Sequence, residues 1–182
     1  MAARRRIALV SSLTASMAVT LAGAATPAQA AAQRVRAEGP LIRYDAALVP
    51  EGATARVQEV RTASGSTVVT LHVRGLLPDR AYGAHAHVNA CGTTGAAAGP
   101  HYQQVVAPAG HATDPDYANP ANEVWLDLTT DDEGNGSAQA LQGWQFRTGG
   151  AGSVILHLRH TSTEPGTHGT AGARVACLTV PF

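Results

Sequence analysis

Hydrophobic and polar positions alternate along most of this chain. In "STVVTLHVRGL" the residues Val69, Leu71 and Val73 fall on one side and Thr70, His72 and Arg74 on the other, the period-two pattern of a strand with one buried face. "EVWLDLT" repeats it, with Val124, Leu126 and Leu128 on one side and Glu123, Trp125 and Asp127 on the other. The turn-forming run "DDEGNG" comes next, so 123–130 and 137–142 read as a hairpin. Further strands are predicted at 41–48, 55–61, 82–88, 153–160 and 174–180, about eight in all. No segment carries the 3.6-residue periodicity of a long amphipathic helix, so the fold class is all-β. Two stretches, 89–122 and 161–173, are rich in Gly, Pro, Thr and Ala and show no strand pattern. A loop as long as the first is usually functional or disordered in a compact domain.

The pattern changes at the N-terminus. Arg4, Arg5 and Arg6, an apolar and small-residue run over 7–25, and the small-x-small sequence Ala28, Gln29, Ala30 read as a secretory signal peptide over 1–30. Serine, threonine and glycine dilute that run, which weakens it as a membrane span. Residues 31–40, "AAQRVRAEGP", read as a flexible arm, and 41–182 as one domain, consistent with 182 residues of which 45% are hydrophobic and 14% charged. The charges balance at 13 against 13, and every base is arginine. Loss of the three signal-peptide arginines leaves 10 against 13, a net charge of −3. Nothing here offers a basic surface to nucleic acid or anionic lipid, and after signal removal no membrane contact is expected.

A secreted chain places its cysteines in an oxidising compartment. Cys91 and Cys177 are the only two, neither sits in a CxxC pair, and a single intramolecular disulfide is predicted over free or metal-binding thiols. The histidines are more informative. In "GAHAHVNAC" the spacing of two puts His85 and His87 on one face of a strand, with Ala84, Ala86 and Val88 on the other. Alone, such a pair is more often solvated than ligating. His101 in "AGPHYQ" and His157 in "SVILHLRH" could join them only if the sheet folds back on itself.

"GAHAHVNAC", "AGPHYQ", "VILHLRH" and "GTAGARVAC", in this order, resemble the copper-site signatures of the copper/zinc superoxide dismutases, and "LHVRGLLPDRAYG" resembles the strand and turn that lead into them. The resemblance runs from about Leu41 to the end. It implies an eight-stranded Greek-key β-barrel or sandwich with two long functional loops. It implies copper held by His85, His87, His101 and His157, with His101 also bridging to zinc, and a Cys91–Cys177 disulfide. It makes Arg174 the cation that receives superoxide, and the activity a copper-dependent disproportionation of that anion. A non-catalytic copper-binding or copper-delivery protein on the same fold is the alternative, and a homodimer stays open.

The sequence departs from that family at zinc. Of the expected set after the bridging histidine only His111 remains, followed by Asp114 and Asp116, and the position aligned with the zinc aspartate falls near Val124. His101, His111 and Asp114 form the zinc set that the spacing allows, one ligand short of a structural site. A copper-only or weakly zinc-binding member is therefore expected. Glu164 is the one acid between His157 and Arg174 and the candidate to orient a ligand histidine. His160 and His168 read as solvated loop histidines, and His72 has no assigned role.

Overall fold

The computed structural model describes residues 33–182, so the signal peptide lies outside the described residues. Two antiparallel sheets pack face to face. The first contains β1 (Gln33–Pro40), β3 (Thr54–Arg61), β4 (Thr67–Arg74) and β7 (Gly136–Gln142), in that order. The second runs β2 (Ile42–Arg43), β9 (Arg174–Thr179), β8 (Ser153–His157), β5 (Ala81–His87) and β6 (Leu128–Thr129). Alternate residues of both sheets point inward, and Val57, Val69, Leu71, Tyr82, Ala84 and Leu156 are buried between them. This is the expected Greek-key sandwich, with eight strands when the bent first strand, β1 and β2, is counted once.

Three strand expectations need correction. The arm over 31–40 is, from Gln33 onward, an edge strand paired with β3 along its length, from Gln33 opposite Arg61 to Pro40 opposite Thr54. Its alternation was masked by charge: Val35 and Ala37 pack on the core while Arg34, Arg36 and Glu38 face away from it. The strand expected over 41–48 changes sheets at Leu41 and stops after two residues, because the backbone at Leu48 and Val49 turns back to the Asp45 carbonyl. The hairpin expected around "DDEGNG" does not form. β6 pairs with β5 in the second sheet and β7 with β4 in the first, so that turn carries the chain between sheets. It is tight against the preceding loop. Gly134 has φ 76°, and a Cβ there would fall 2.1 Å from the Leu76 carbonyl oxygen, which excludes any side chain.

Two long loops, 88–127 and 158–173, follow β5 and β8 and leave that antiparallel pair at opposite ends. The first contains a short 3₁₀ turn, Gly95–Ala98, and then folds back beside β5 through bridges at His85 with Trp125 and His87 with His101. The predicted disulfide is present: Cys91 joins Cys177 on β9, with a Cα–Cα distance of 5.9 Å. Tyr44 donates to the Gly92 carbonyl nearby, so the loop is fastened twice beside its start. Among the described residues no helix is long and apolar enough to cross a membrane.

The cross-link spans 86 residues, and chain entropy alone makes such a closure worth about 4–5 kcal/mol. Cys91→Ser should therefore lower the urea-unfolding free energy by several kcal/mol. A loss below about 1 kcal/mol would show that the unfolded chain is already constrained by other means.

Candidate metal centre

The second sheet and the first long loop bring four histidines to one point. His85 and His87 leave the same face of β5, His157 leaves the end of β8, and His101 arrives from the loop through its bridge to His87. One nitrogen from each lies within 4.8 Å of one from every other. Ring centroids are 4.0 Å apart for His85 and His101, and 5.5 Å for His87 and His157. His85 and His87 have no solvent exposure. Small neighbours make the convergence feasible: a Cβ at Gly83 would fall 2.5 Å from the Arg159 carbonyl oxygen and 2.7 Å from the Ala171 Cβ, so the second loop folds directly over β5 there.

Hydrogen-bond partners fix which nitrogen each ring presents. A backbone carbonyl can only accept, so His87 Nδ1, 2.9 Å from the Gly99 oxygen, carries the proton, and so does His157 Nδ1, 3.2 Å from the Gly172 oxygen. A neutral imidazole holds one proton, which leaves both Nε2 atoms as bare lone pairs. Those two nitrogens are 3.3 Å apart. His101 Nδ1 donates to Glu123 Oε2 at 2.9 Å and likewise keeps Nε2 free. His85 is reversed. Its Nε2 meets the Thr161 hydroxyl at 2.7 Å, while its Nδ1 is buried with no hydrogen-bond partner.

Three of the rings, His85, His87 and His157, also resist protonation. Burial first, and then the charge His101 would carry, push His87 down to about 2 and hold His85 well below the ordinary imidazole range. The same two causes lower His157 to about 3. Neutral imidazole is the ligating form, so burial keeps the cluster ready for a cation at physiological pH. Four inward lone pairs, two of them 3.3 Å apart with no hydrogen between, fit a metal ion that takes imidazole nitrogen.

The zinc set read from the sequence is not assembled. His101 Nδ1, the nitrogen a second metal would need, is held by Glu123. His111 is exposed and pairs with Asp114 at 3.4 Å, and the three do not form a cluster of ligand atoms with one another. The residues present do not fit a zinc ion. Glu123, buried and beside the position aligned with the zinc aspartate, instead accepts from His101, from Gln103 Nε2 at 2.8 Å and from Trp125 Nε1 at 2.8 Å. The acids that reach histidines of the cluster are thus Glu123, directly, and Asp127, acting through Thr161, and not Glu164, which is exposed. Sequence reasoning had placed Glu123, Trp125 and Asp127 on one strand face without a task. That shared face was the available signal, whereas nothing marked Thr161.

Arg174 stands opposite His157 across the β8–β9 pairing and donates to the Gly95 carbonyl at 2.7 Å. It lines an open cleft of about 510 Å³ together with Pro100, His101, Val106, His157 and His168. His168 is half-buried and donates to the Ala118 carbonyl at 2.6 Å, so it braces the second loop against the first rather than standing in solvent. His160 is exposed and bonds the Leu128 carbonyl, and His72 lies on the first sheet, outside the cluster.

No family model and no curated protein matches this chain. Solved structures do. The crystal structure of the clock protein EA4 matches with a TM-score of 0.55 at 18% identity, covering 81% of this chain and 92% of that one. A double mutant of a SOD-like protein from Bacillus subtilis matches with a TM-score of 0.55 at 15% identity, covering 82% of this chain and 96% of that one. The fold is that of the superoxide dismutase-like β-sandwiches, and on it this chain carries a disulfide and a four-histidine candidate metal site.

Unfolded imidazole titrates near 6.5, far above the folded values of His87 and His157, so unfolding in acid takes up protons that the folded state refuses. Stability of the metal-free protein is full above about pH 6.5 and falls as the pH drops toward 3, by about 1.4 kcal/mol per pH unit for each such histidine. Urea midpoints should be clearly lower at pH 5.0 than at pH 7.5. Equal midpoints would contradict a buried neutral cluster.

Proposed function

We propose that the protein is a secreted, copper-dependent superoxide dismutase that works without zinc. The observation carrying this reading is the facing pair of Nε2 atoms on His87 and His157, 3.3 Å apart with both ring protons committed elsewhere. His85 through Nδ1, and His87, His101 and His157 through Nε2, would hold the copper. Four imidazoles suit that metal, which also binds most tightly of the divalent first-row ions. Copper, when bound, supplies the one-electron couple that oxidises one superoxide to dioxygen and reduces a second, with two protons, to hydrogen peroxide.

The chain's own groups supply access and field. Arg174 holds a permanent charge in a half-buried position, anchored through one guanidinium nitrogen to Gly95, with its other donors left for a small oxyanion at the cleft. Counting from Ala31, the chain has 10 arginines against 13 acids, so local placement of this cation must overcome a mildly repulsive net charge. Both loops close over the histidines and keep bulk water from the inner pair, which makes every charge interaction there stronger.

A copper-binding protein without turnover is the second reading. It is favoured by the shared fold of a protein named for the clock, since that fold alone does not carry the enzyme reading. Arg174 at the cleft separates the two.

The test is metal content and superoxide consumption of the purified protein. One copper per chain, less than a tenth of a zinc, and turnover lowered at least about tenfold by Arg174→Glu are expected, since steering of a charged substrate is worth about 10- to 1,000-fold in rate. His157→Ala should lose copper. Stoichiometric copper with negligible turnover would establish the second reading. Turnover indifferent to Arg174→Glu would remove that residue from the mechanism.

A further inference from the structure

We infer that the segment Glu123–Trp125–Asp127, with Thr161, sets opposite tautomers on His85 and His101 and so takes over, with side chains alone, the ligand-orienting task of a second metal. This rests on the proposed copper reading for its purpose, though not for its geometry.

The segment lies antiparallel beside β5, with Trp125 bridged to His85 and Leu126 N donating to the Ala84 carbonyl at 2.7 Å. Strand periodicity then sends Glu123, Trp125 and Asp127 to one face, the face on which β5 presents its histidines. Each carboxylate serves a different ring. Glu123 accepts from His101 Nδ1 directly, which leaves Nε2 inward. Asp127 works through one intermediary. Its Oδ2 accepts the Thr161 amide at 2.7 Å, and its Oδ1 accepts the Thr161 hydroxyl at 2.7 Å and the Ala84 amide at 3.2 Å.

The hydroxyl is the deciding group. Threonine has one hydroxyl hydrogen, and it is committed to Asp127, so toward His85 Nε2 at 2.7 Å the oxygen can only accept. His85 must therefore carry its proton on Nε2, which leaves its buried, partnerless Nδ1 as the lone pair it can offer to the cluster with His87, His101 and His157. Were the hydroxyl free to rotate, it could donate instead, and the wrong nitrogen would be bare. Trp125 completes the segment: its Nε1 donates to Glu123 Oε2 at 2.8 Å, and its ring lies edge-on to His85, with centroids 6.2 Å apart. Glu123 and Asp127 thus sit in one backbone segment and are held at a common height relative to the cluster. Thr161, Asp127 and Glu123 are positioning residues, since none of them belongs to the cluster of converging ligand atoms and each acts on it through a histidine.

The experiment is long-range proton–nitrogen NMR on the metal-free protein with nitrogen-15 histidine, followed by copper titration of the same samples. Wild type should show His85 protonated on Nε2 and His101 on Nδ1. Thr161→Val should shift His85 toward the Nδ1–H form and weaken copper binding about 10- to 100-fold, and Thr161→Ser should restore both. Glu123→Ala should release the His101 preference, and Glu123→Gln, whose amide oxygen still accepts, should restore it. A wild-type His85 protonated on Nδ1, or a folded Thr161→Val protein with wild-type tautomer and affinity, would overturn the inference. If Thr161→Val fails to fold, the wild-type spectrum and the serine variant still decide. If the wild-type tautomers are as stated but no copper binds, the tautomer assignment stands and the copper reading falls.

Discussion

Four imidazole lone pairs pointing at one another in buried space are the constraint around which the rest of this molecule is arranged. Without a cation such a cluster is unfavourable, because like partial charges face each other where water cannot screen them. The fold keeps it together by distributing the cost. Two rings come from one rigid strand, one from its hydrogen-bonded neighbour, and the fourth from a loop fastened by a disulfide and by Tyr44. Each ring is held by an acceptor on its outer nitrogen, so that turning it away would leave a buried proton unpaired.

That requirement explains features which look unrelated. The second loop must approach β5 at Gly83 closely enough to bring Thr161 and the Gly172 carbonyl onto two different rings. The first loop must return along β5 so that Glu123 and Asp127 bracket the cluster from behind. Arg174 needs no separate scaffold: it follows from being the strand partner of His157. The site thus draws on both long loops, while the first sheet supplies the other half of the core.

Much of this was legible in the sequence, for reasons that differ by element. Alternation gave β3 and β4 nearly to the residue, because each buries one face fully and the other only in part, and β5 matches its expected span although both of its faces are buried. It failed where pairing partner rather than strand character was the question: β6 and β7 alternate well, yet the turn between them changes sheets, a property of three-dimensional closure that a period of two does not encode. It failed again at β1, where three charged residues on the outer face hid Val35 and Ala37. In the site, the four histidines were found by motif order, and the two cysteines by count and compartment. The zinc set was misplaced because His-x-x-Asp spacing at His111 and Asp114 says nothing of where a surface loop points, and those residues stay in solvent. Glu123 and Asp127 were visible as a polar strand face, but their meaning depended on Thr161, from a distant loop with no pattern of its own.

Electron paramagnetic resonance of the protein given one equivalent of Cu(II) tests the central claim most directly. A single tetragonal species with hyperfine coupling to four nitrogens, saturating at one copper per chain and unaltered by added zinc, is the result that follows from four inward lone pairs and an occupied His101 Nδ1. A mixture of oxygen-rich species, or a spectrum that changes when one equivalent of zinc is added, would contradict it.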